Sequence, residues 1–243
     1  MNRMENEKRI PRVEEERVEG GMIKTKLIIP HGDGYVTFYN SHMYRTYQSA
    51  GKRIINAGLR VPTGEEVASL IYAAYCVPEI ENDWEFEKAR AIMGHGIWNF
   101  NRNLWTPEGV YVVQDPEALG GSQPFNINQL EKSLKRGKER NGIRFSEDGT
   151  VRFAPEGSYK SGEHTSESLA KDGYIIASYG IEGAEKLGEV FYKFKYIPAR
   201  GLDIFIIRGG SELNDDLDSL GVYGVVLGGD VLCGGFGVLK DAN

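Results

Sequence analysis

The C-terminal stretch LDIFIIRGGS (residues 202–211), followed by ELNDDLDSLGVYGVVLGGDVLCGGFGVL (residues 212–239), sets the interpretation of the whole chain. Runs of β-branched and aromatic residues stop there at glycines or at an Asp/Ser cluster, which predicts three short strands separated by turns. Between Arg208 and Lys240 there is no lysine or arginine, while acidic residues gather on the two connections between the strands. This pattern indicates connections that vary in side chain on a fixed backbone.

Composition limits the classes of function. The 243 residues are enough for one elaborated domain with a real core. The 29 Lys and Arg against 35 Asp and Glu give a net charge of −6, which disfavours nucleic acid as a partner because a phosphate-backbone binder needs a basic face. Two cysteines, Cys76 and Cys233, cannot form a disulfide framework and lack the spacing of a zinc site.

The first 21 residues mix charges with almost no apolar periodicity. They could not bury enough surface to offset the entropy of ordering, so residues 1–21 are predicted to be a disordered arm, with a charge-paired helix as the alternative. Neither a signal peptide nor a membrane-spanning run is found in the sequence, so we expect a protein that stays in the cytoplasm or is assembled onto a virion or cell surface. Residues 22–243 are predicted to form a single domain.

The next part of the chain predicts a hairpin and two helices. Residues 22–30 and 35–39 are strand-like runs around the turn His31-Gly-Asp-Gly34. Residues 40–57 carry apolar side chains at spacings of three and four, which predicts an amphipathic helix. Thr63 and Glu66 have the spacing of a capping box and predict the start of a second helix.

The middle of the chain predicts alternating short elements. We expect helices over residues 84–93 and 128–137, a strand over 109–114, a hairpin formed by 143–145 and 150–153, a strand over 174–179, a helical turn over 183–186 and a strand over 190–197. The last run alternates apolar with partly polar positions.

Catalytic and metal motifs are weak. The four histidines form no H-x-x-x-H or H-x-H pair, no G-x-S-x-G elbow is present, and neither cysteine has a neighbouring base in sequence. Asn214, Asp216 and Asp218 alternate like the first ligands of a calcium loop, but Ser219 and Val225 stand where its Gly and Glu are required. The sequence therefore predicts no catalytic and no metal-ligating residues, and calcium stays open as a cofactor.

Several motifs, in this order, resemble a known family. Arg60-Val-Pro-Thr63 with Glu66 opens a helix, Arg208-Gly-Gly-Ser211 ends a strand far downstream, and Gly221-Val-Tyr223 precedes Gly235-Phe236. These segments resemble the branch of the C-type lectin fold that includes formylglycine-generating enzymes and the variable proteins of diversity-generating retroelements. Glu212 and Val67 stand where that branch has Trp, and Gly237 stands where it has Arg.

The resemblance implies an α+β, C-type lectin-like fold. Two helices would pack on a twisted, mainly antiparallel sheet, with an insertion at about residues 84–190 and a variable region at about residues 212–234. The scaffold residues implied are Arg60, Glu66, Arg208, Gly209, Gly210, Ser211, Gly221, Gly235 and Phe236.

For the retroelement proteins, adenines in C-terminal AAC codons are replaced by any base, which never yields Lys, Gln, Glu, Met or Trp. Every residue from Leu213 to Val238 falls within the permitted set. The resemblance then implies a non-enzymatic protein that binds a protein or cell-surface ligand, with a preference for a basic one. The implied contact residues are Leu213, Asn214, Asp215, Asp216, Leu217, Asp218, Tyr223, Val226, Gly228, Asp230, Val231, Leu232 and Cys233.

Two other functions remain open from the sequence. The first is an oxidase of the formylglycine-generating kind, although that activity uses a cysteine pair with copper, and Cys76 lies within a predicted helix while Cys233 lies in a variable-looking turn. The second is a calcium-dependent carbohydrate-binding lectin. The ligand and the oligomeric state are not determined by the sequence.

Overall fold

The chain forms a large mixed β-sheet with helices packed against it. The computed structural model describes residues 9–17, 23–93, 96–119, 124–160, 164–191, 195–196, 206–214, 219–226 and 233–240. Within these ranges lie twelve strands joined in one sheet, six α-helices and a short 3-10 helix at Pro78–Ile80.

The strands and helices follow one another along the whole described chain. The strands are β1 Arg12–Arg17, β2 Ile23–His31, β3 Gly34–Arg45, β4 Ile97–Thr106, β5 Gly109–Gln114, β6 Lys138–Arg140, β7 Ile143–Phe145, β8 Val151–Pro155, β9 Lys195–Tyr196, β10 Ile206–Asn214, β11 Ser219–Val226 and β12 Cys233–Val238. The helices are α1 Tyr47–Asn56, α2 Gly64–Cys76, α3 Trp84–Met93, α4 Ile127–Leu134, α5 Ser166–Ala170 and α6 Gly173–Phe191.

The sheet brings the two ends of the chain together. Its main order is β1-β2-β3-β12-β4-β5-β8-β7-β6, and β10 branches from β4, followed by β11 and β9. β12 pairs antiparallel with β3, with Phe236 opposite Asn40 and Val238 opposite Phe38. The last strand of the described chain is therefore an interior strand beside one of the first.

The residues of β4 alternate between two helical layers. Three buried asparagines on one face donate hydrogen bonds to α6: Asn99, Asn101 and Asn103. On the other face Trp98 and Phe100 pack their rings against Tyr47 of α1. Because successive side chains of a strand point to opposite faces, α6 and α1 cover opposite sides of the sheet. α2 shares the α6 side, and its buried residues belong to the same core.

Several predicted elements are confirmed. The hairpin of β2 and β3 turns at residues 32–33, between the paired His31 and Gly34. The helix over residues 84–93, the strand over 109–114, the helix near 128–137 and the hairpin of β7 and β8 are present, as are three C-terminal strands.

The predicted disordered arm is wrong for part of its length. Residues 12–17 form β1 and pair antiparallel with β2 from Arg12 opposite Ile28 to Arg17 opposite Ile23. Lys26 of β2 forms an ion pair with Glu16 at 3.0 Å. A charged edge strand has the composition of a disordered segment, because its exposed positions need no apolar side chains. Residues 1–8 and 18–21 lie outside the described residues.

The helix predicted over residues 40–57 begins only at Tyr47, because β3 continues to Arg45 and pairs with β12. The strand predicted over residues 174–179 is instead the first part of α6. Asp172 accepts hydrogen bonds from the N–H groups of Tyr174 and Ile175 and so caps this helix. Short apolar runs do not separate a buried strand from a buried helix, which accounts for the error.

The end of α6 and the middle section also differ from expectation. Gly180, with a φ of 74°, interrupts α6, and the part of the helix after it includes the predicted helical turn at residues 183–186 and continues to Phe191. The strand predicted over residues 190–197 is therefore limited to β9. The section predicted as an insertion contains β4, which pairs with β5, β10 and β12. These residues are therefore part of the frame of the sheet.

Candidate functional site

β4 is the strand on which the C-terminal strands are assembled. β10 pairs antiparallel with β4, from Ile206 opposite Leu104 to Ser211 opposite Ile97. β12 meets the same end of β4, where Gly234 pairs with Ile97. The start of β4 therefore adjoins two of the three C-terminal strands.

The segment Arg208-Gly-Gly-Ser211 lies inside a strand. β10 continues to Asn214, so the prediction that the strand ends at Ser211 is wrong. Its register against β4 shifts between Arg208 and Gly210, which is the position of a β-bulge. Against β11 the same residues, including Gly209, pair without a shift, and Gly221 stands opposite Glu212. Gly209 and Gly210 thus lie in a strand that pairs with β4 and with β11, and the register shifts only in the pairing with β4.

The pairing of β10 with β11 divides their residues between two faces. The ladder runs without a break from Ile207 opposite Val226 to Asn214 opposite Ser219. Directly opposite residues share a face, and the faces alternate along each strand. The first face carries Arg208, Gly210, Glu212, Asn214, Ser219, Gly221, Tyr223 and Val225, and the second carries Ile207, Gly209, Ser211, Leu213, Leu220, Val222, Gly224 and Val226. The first face is mainly polar and the second mainly aliphatic.

This register separates the predicted contact residues that lie in strands. Asn214 and Tyr223 belong to the polar face, whereas Leu213 and Val226 belong to the aliphatic face. An antiparallel pair with one polar and one aliphatic face commonly turns the aliphatic face to a core. The other predicted contacts in the two connections lie outside the described residues, namely Asp215, Asp216, Leu217, Asp218, Gly228, Asp230, Val231 and Leu232.

Cys233 requires a correction. It is predicted as a contact residue, but it is 0% exposed and lies in a core cluster with Tyr47, Ile54 and Trp98. A thiol in this position cannot touch an external ligand. Cys76 is partly buried and packs against the separate main core, so the two cysteines do not meet in one cluster.

β12 is held by close approaches that only glycine permits. A Cβ atom on Gly234 would lie 2.3 Å from Ile92 Cγ2, and one on Gly237 would lie 2.5 Å from Leu59 Cδ1. The scaffold residue Phe236 is buried and meets the ring of Phe38 edge to face, with 6.4 Å between centroids. Gly235, which precedes Phe236 in β12, pairs with Ser41 of β3. Gly235 and Phe236, both predicted as scaffold residues, therefore lie in a buried, paired strand.

The start of α2 is joined to the last strand through Arg60. The backbone of Arg60 exchanges two hydrogen bonds with Val238, at 2.9 and 2.8 Å. Its guanidinium donates to both carboxylate oxygens of Glu66, at 2.7 and 2.5 Å. The Thr63 backbone N–H donates to Glu66, and the Thr63 hydroxyl accepts from the Glu66 N–H, so the predicted capping box is confirmed. We call Arg60, Glu66 and Val238 the clamp.

Electrostatics inside the clamp favour a charged Glu66. Burial raises the pKa of the Glu66 carboxyl, but the hydrogen bonds from Arg60 and from the Thr63 N–H outweigh burial and leave the pKa below its usual value. A buried carboxylate that accepts several hydrogen bonds stays ionised. The clamp is therefore a charged link between α2 and β12.

Among the residues that the structure describes, no group of three or more His, Cys, Asp or Glu is positioned to hold a metal ion. In the same residues, no helix combines the length and apolar character needed to cross a bilayer.

One polar cluster is not predicted from the sequence. His31 of β2 and Lys186 of α6 both lie within hydrogen-bond distance of Ser69 of α2. Their separation in sequence gives no spacing signal. The only hint in the sequence is the four-residue spacing of Glu182 and Lys186, which is typical of a helical ion pair.

Comparison with protein-family models, with curated proteins and with solved structures finds no match to this chain.

Proposed function

We propose that the protein binds a protein or cell-surface ligand through a C-terminal surface diversified by a retroelement, on a C-type lectin-like frame. The observation that carries the proposal is the composition of residues 213–232, all of which belong to the set that adenine substitution of AAC codons yields.

The topology supports the finer fold assignment. β3 and β12 pair near the two ends of the chain, and α1 and α2 follow β3 directly. The clamp ties the start of α2 to β12. β4, β10 and β11 then extend the sheet. Two helices on a sheet, with the helix motif of Arg60 and Glu66 beside the last strand, support this assignment.

The strand register identifies which predicted contacts suit a binding surface. Tyr223 and Asn214 share the polar face of the β10–β11 pair. A tyrosine supplies a large contact area with few rotatable bonds, so it serves as the anchor of the interface. The aspartates of the two connections favour a basic ligand through long-range attraction. Leu213 and Val226, on the aliphatic face, are assigned to packing.

Recognition on this surface needs no chemical step. The frame fixes the backbone through the clamp and through the close packing of Gly234 and Gly237, neither of which accepts a larger residue without rearrangement. Variation is then confined to positions where a new side chain does not disturb the core. Ligand choice changes while the fold is retained.

Sequencing of the gene and its flanking DNA across the source population tests the proposal. We expect substitutions confined to adenine positions of codons 213–232, beside a near-identical template copy and a reverse transcriptase gene. Codons 233–238 should be invariant, because β12 is buried throughout. A uniform sequence with neither neighbour would reject diversification by a retroelement.

A further inference from the structure

A small cavity lies between α2, α6 and the β2–β3 turn, and none of its lining residues belongs to the predicted contact residues. Its volume is about 210 Å³. Ligand pockets for drug-sized molecules span roughly 300–1,000 Å³, so this cavity suits a smaller molecule. Apolar side chains, among them Ile29, Tyr72, Ala73 and Val77, form much of its wall.

Ser69 is the polar centre of the cavity and is only 2% exposed. Its Oγ lies 3.0 Å from the backbone oxygen of Glu65, 2.9 Å from Lys186 Nζ and 3.0 Å from His31 Nδ1. A carbonyl oxygen can only accept, so the hydroxyl proton is given to Glu65. The Ser69 oxygen then accepts from both Lys186 and His31, which places a hydrogen on His31 Nδ1.

This arrangement argues against Ser69 as a nucleophile. Its proton is engaged by a carbonyl rather than by a base, and Lys186 also donates to Glu182 at 2.7 Å, as a charged ammonium does. The cluster is instead a set of donors held in place by one hydroxyl. Its chemistry is that of binding.

The cavity is lined by two cationic side chains although the protein as a whole is acidic. Arg9, His31 and Lys186 line it, with Glu182 as the acidic side chain among the lining residues. The hydrogen bond from Lys186 lowers the pKa of the Glu182 carboxyl, and the charges of His31 and Arg9 lower it further. A carboxylate that is 59% exposed is thus already stabilised here as an anion.

We propose that this cavity binds a small oxyanion, a carboxylate or phosphate group on a short apolar body. Lys186 and Arg9 supply the positive charge and the donors, and the apolar wall accommodates the body of the ligand. Glu182 pairs with Lys186 and so competes with the ligand for this cation. The ligand's oxygens take the place of the Glu182 carboxylate when the ligand binds.

Calorimetric titration of the full chain with butyrate, inorganic phosphate and 1-butanol tests the proposal. Butyrate or phosphate should bind saturably, with a Kd of about 1 mM or tighter, and 1-butanol should not. Tighter binding of butyrate assigns the site to a carboxylate, and tighter binding of phosphate assigns it to a phosphate group. Failure of both anions to bind would overturn the proposal.

Matched lysine variants locate the binding. Lys186 and Lys171 each form an ion pair with the glutamate four residues earlier, at 2.7 and 2.6 Å, but only Lys186 lines the cavity. Lys186→Met should weaken anion binding about tenfold, the loss of one charged hydrogen bond, and Lys171→Met should leave it unchanged. Equal effects of the two substitutions would contradict the assignment.

A variant that binds the anion more tightly gives a further test, because a partly unfolded protein would bind it more weakly. Glu182→Gln removes the competing carboxylate and should tighten anion binding severalfold, whereas Glu167→Gln, beside Lys171, should not. Weaker binding by Glu182→Gln would mean that Glu182 supports the site rather than competes with the ligand, and would overturn the proposal. Both outcomes are independent of the C-terminal surface.

Discussion

β12 and the β10–β11 pair lie in the same sheet and share a glycine-rich composition, yet they are built differently. All six residues of β12 are buried, and Gly234 and Gly237 sit against side chains of Ile92 and Leu59. The β10–β11 pair instead alternates a polar with an aliphatic face. Glycine content alone therefore does not distinguish a fully buried strand from a strand pair with two different faces, whereas register and close approach do.

The clamp that holds β12 should give the largest effect. Arg60 and Arg144 are equally exposed, at 32% and 33%, and each grips a glutamate with two hydrogen bonds. Glu66 is only 7% exposed, whereas Glu131 is 30% exposed. Arg60→Ala leaves a buried carboxylate without its cation and should lower the free energy of unfolding by about 3 kcal/mol.

Arg144→Ala is the matched control for Arg60→Ala. It should cost about 1 kcal/mol or less, because water solvates Glu131 once its partner is lost. Urea unfolding of the two variants measures both values. Equal losses would show that the clamp is no more than a surface ion pair.

Substitution in β12 should have the next largest effect. The Cβ of Gly234→Ala would lie 2.3 Å from Ile92 Cγ2, so strand or helix must shift, at a cost of about 2 kcal/mol. Gly34→Ala is the control, since a Cβ there meets nothing within 4 Å. Thermal or urea unfolding compares them. A neutral Gly234→Ala would mean that α3 and β12 can move apart freely.

Acid should weaken the part of the frame formed by Glu131. Hydrogen bonds from Arg144 lower the pKa of this carboxyl from its usual 4.5 to about 2, against the opposing effect of burial. The ionised form therefore favours the folded state. This contribution is present above about pH 4.5 and is lost as the pH falls towards about 2.

Solvent screening limits this acid-dependent loss in the free energy of unfolding to about 1 kcal/mol. Unfolding curves between these pH values should show a smaller pH dependence in Glu131→Gln than in the unmodified protein. Tyr111, which donates to Glu131 at 2.6 Å, has its pKa raised to about 12 and stays protonated throughout. An unchanged pH dependence in Glu131→Gln would contradict the assignment of this carboxylate.

The sequence is sufficient for the locally determined elements. The capping box at Thr63 and Glu66 predicts α2, and turn residues predict the hairpins of β2 with β3 and of β7 with β8. These features depend on residues only a few positions apart. They can be recognised before any tertiary contact is known.

Elements that depend on distant partners are not predictable in this way. Residues 40–45 have a helical pattern but extend β3, because β12 supplies the hydrogen bonds. The run at residues 174–179 is buried on α6 and has no clear period. β4 is not predicted from the sequence because Asn99, Asn101 and Asn103 face inward, where apolar residues are expected. These asparagines donate hydrogen bonds to α6.

The site is predictable to a similar extent. Composition predicts a candidate site in the C-terminal stretch, but it assigns Cys233 to the surface, because burial by α1 and Trp98 is a tertiary property. Leu213 and Val226 are separated from Asn214 and Tyr223 only by the strand register. The cavity around Ser69 is assembled from three elements and has no motif.

The most direct test of the binding-surface account compares Tyr223→Ala with Leu220→Ala, which lie on opposite faces of β11. Urea unfolding should show a change within about 0.5 kcal/mol for Tyr223→Ala, as for a surface residue. Leu220→Ala should cost about 2 kcal/mol, as for a packed one. A large loss for Tyr223→Ala with a neutral Leu220→Ala would place the tyrosine in the core and contradict the account.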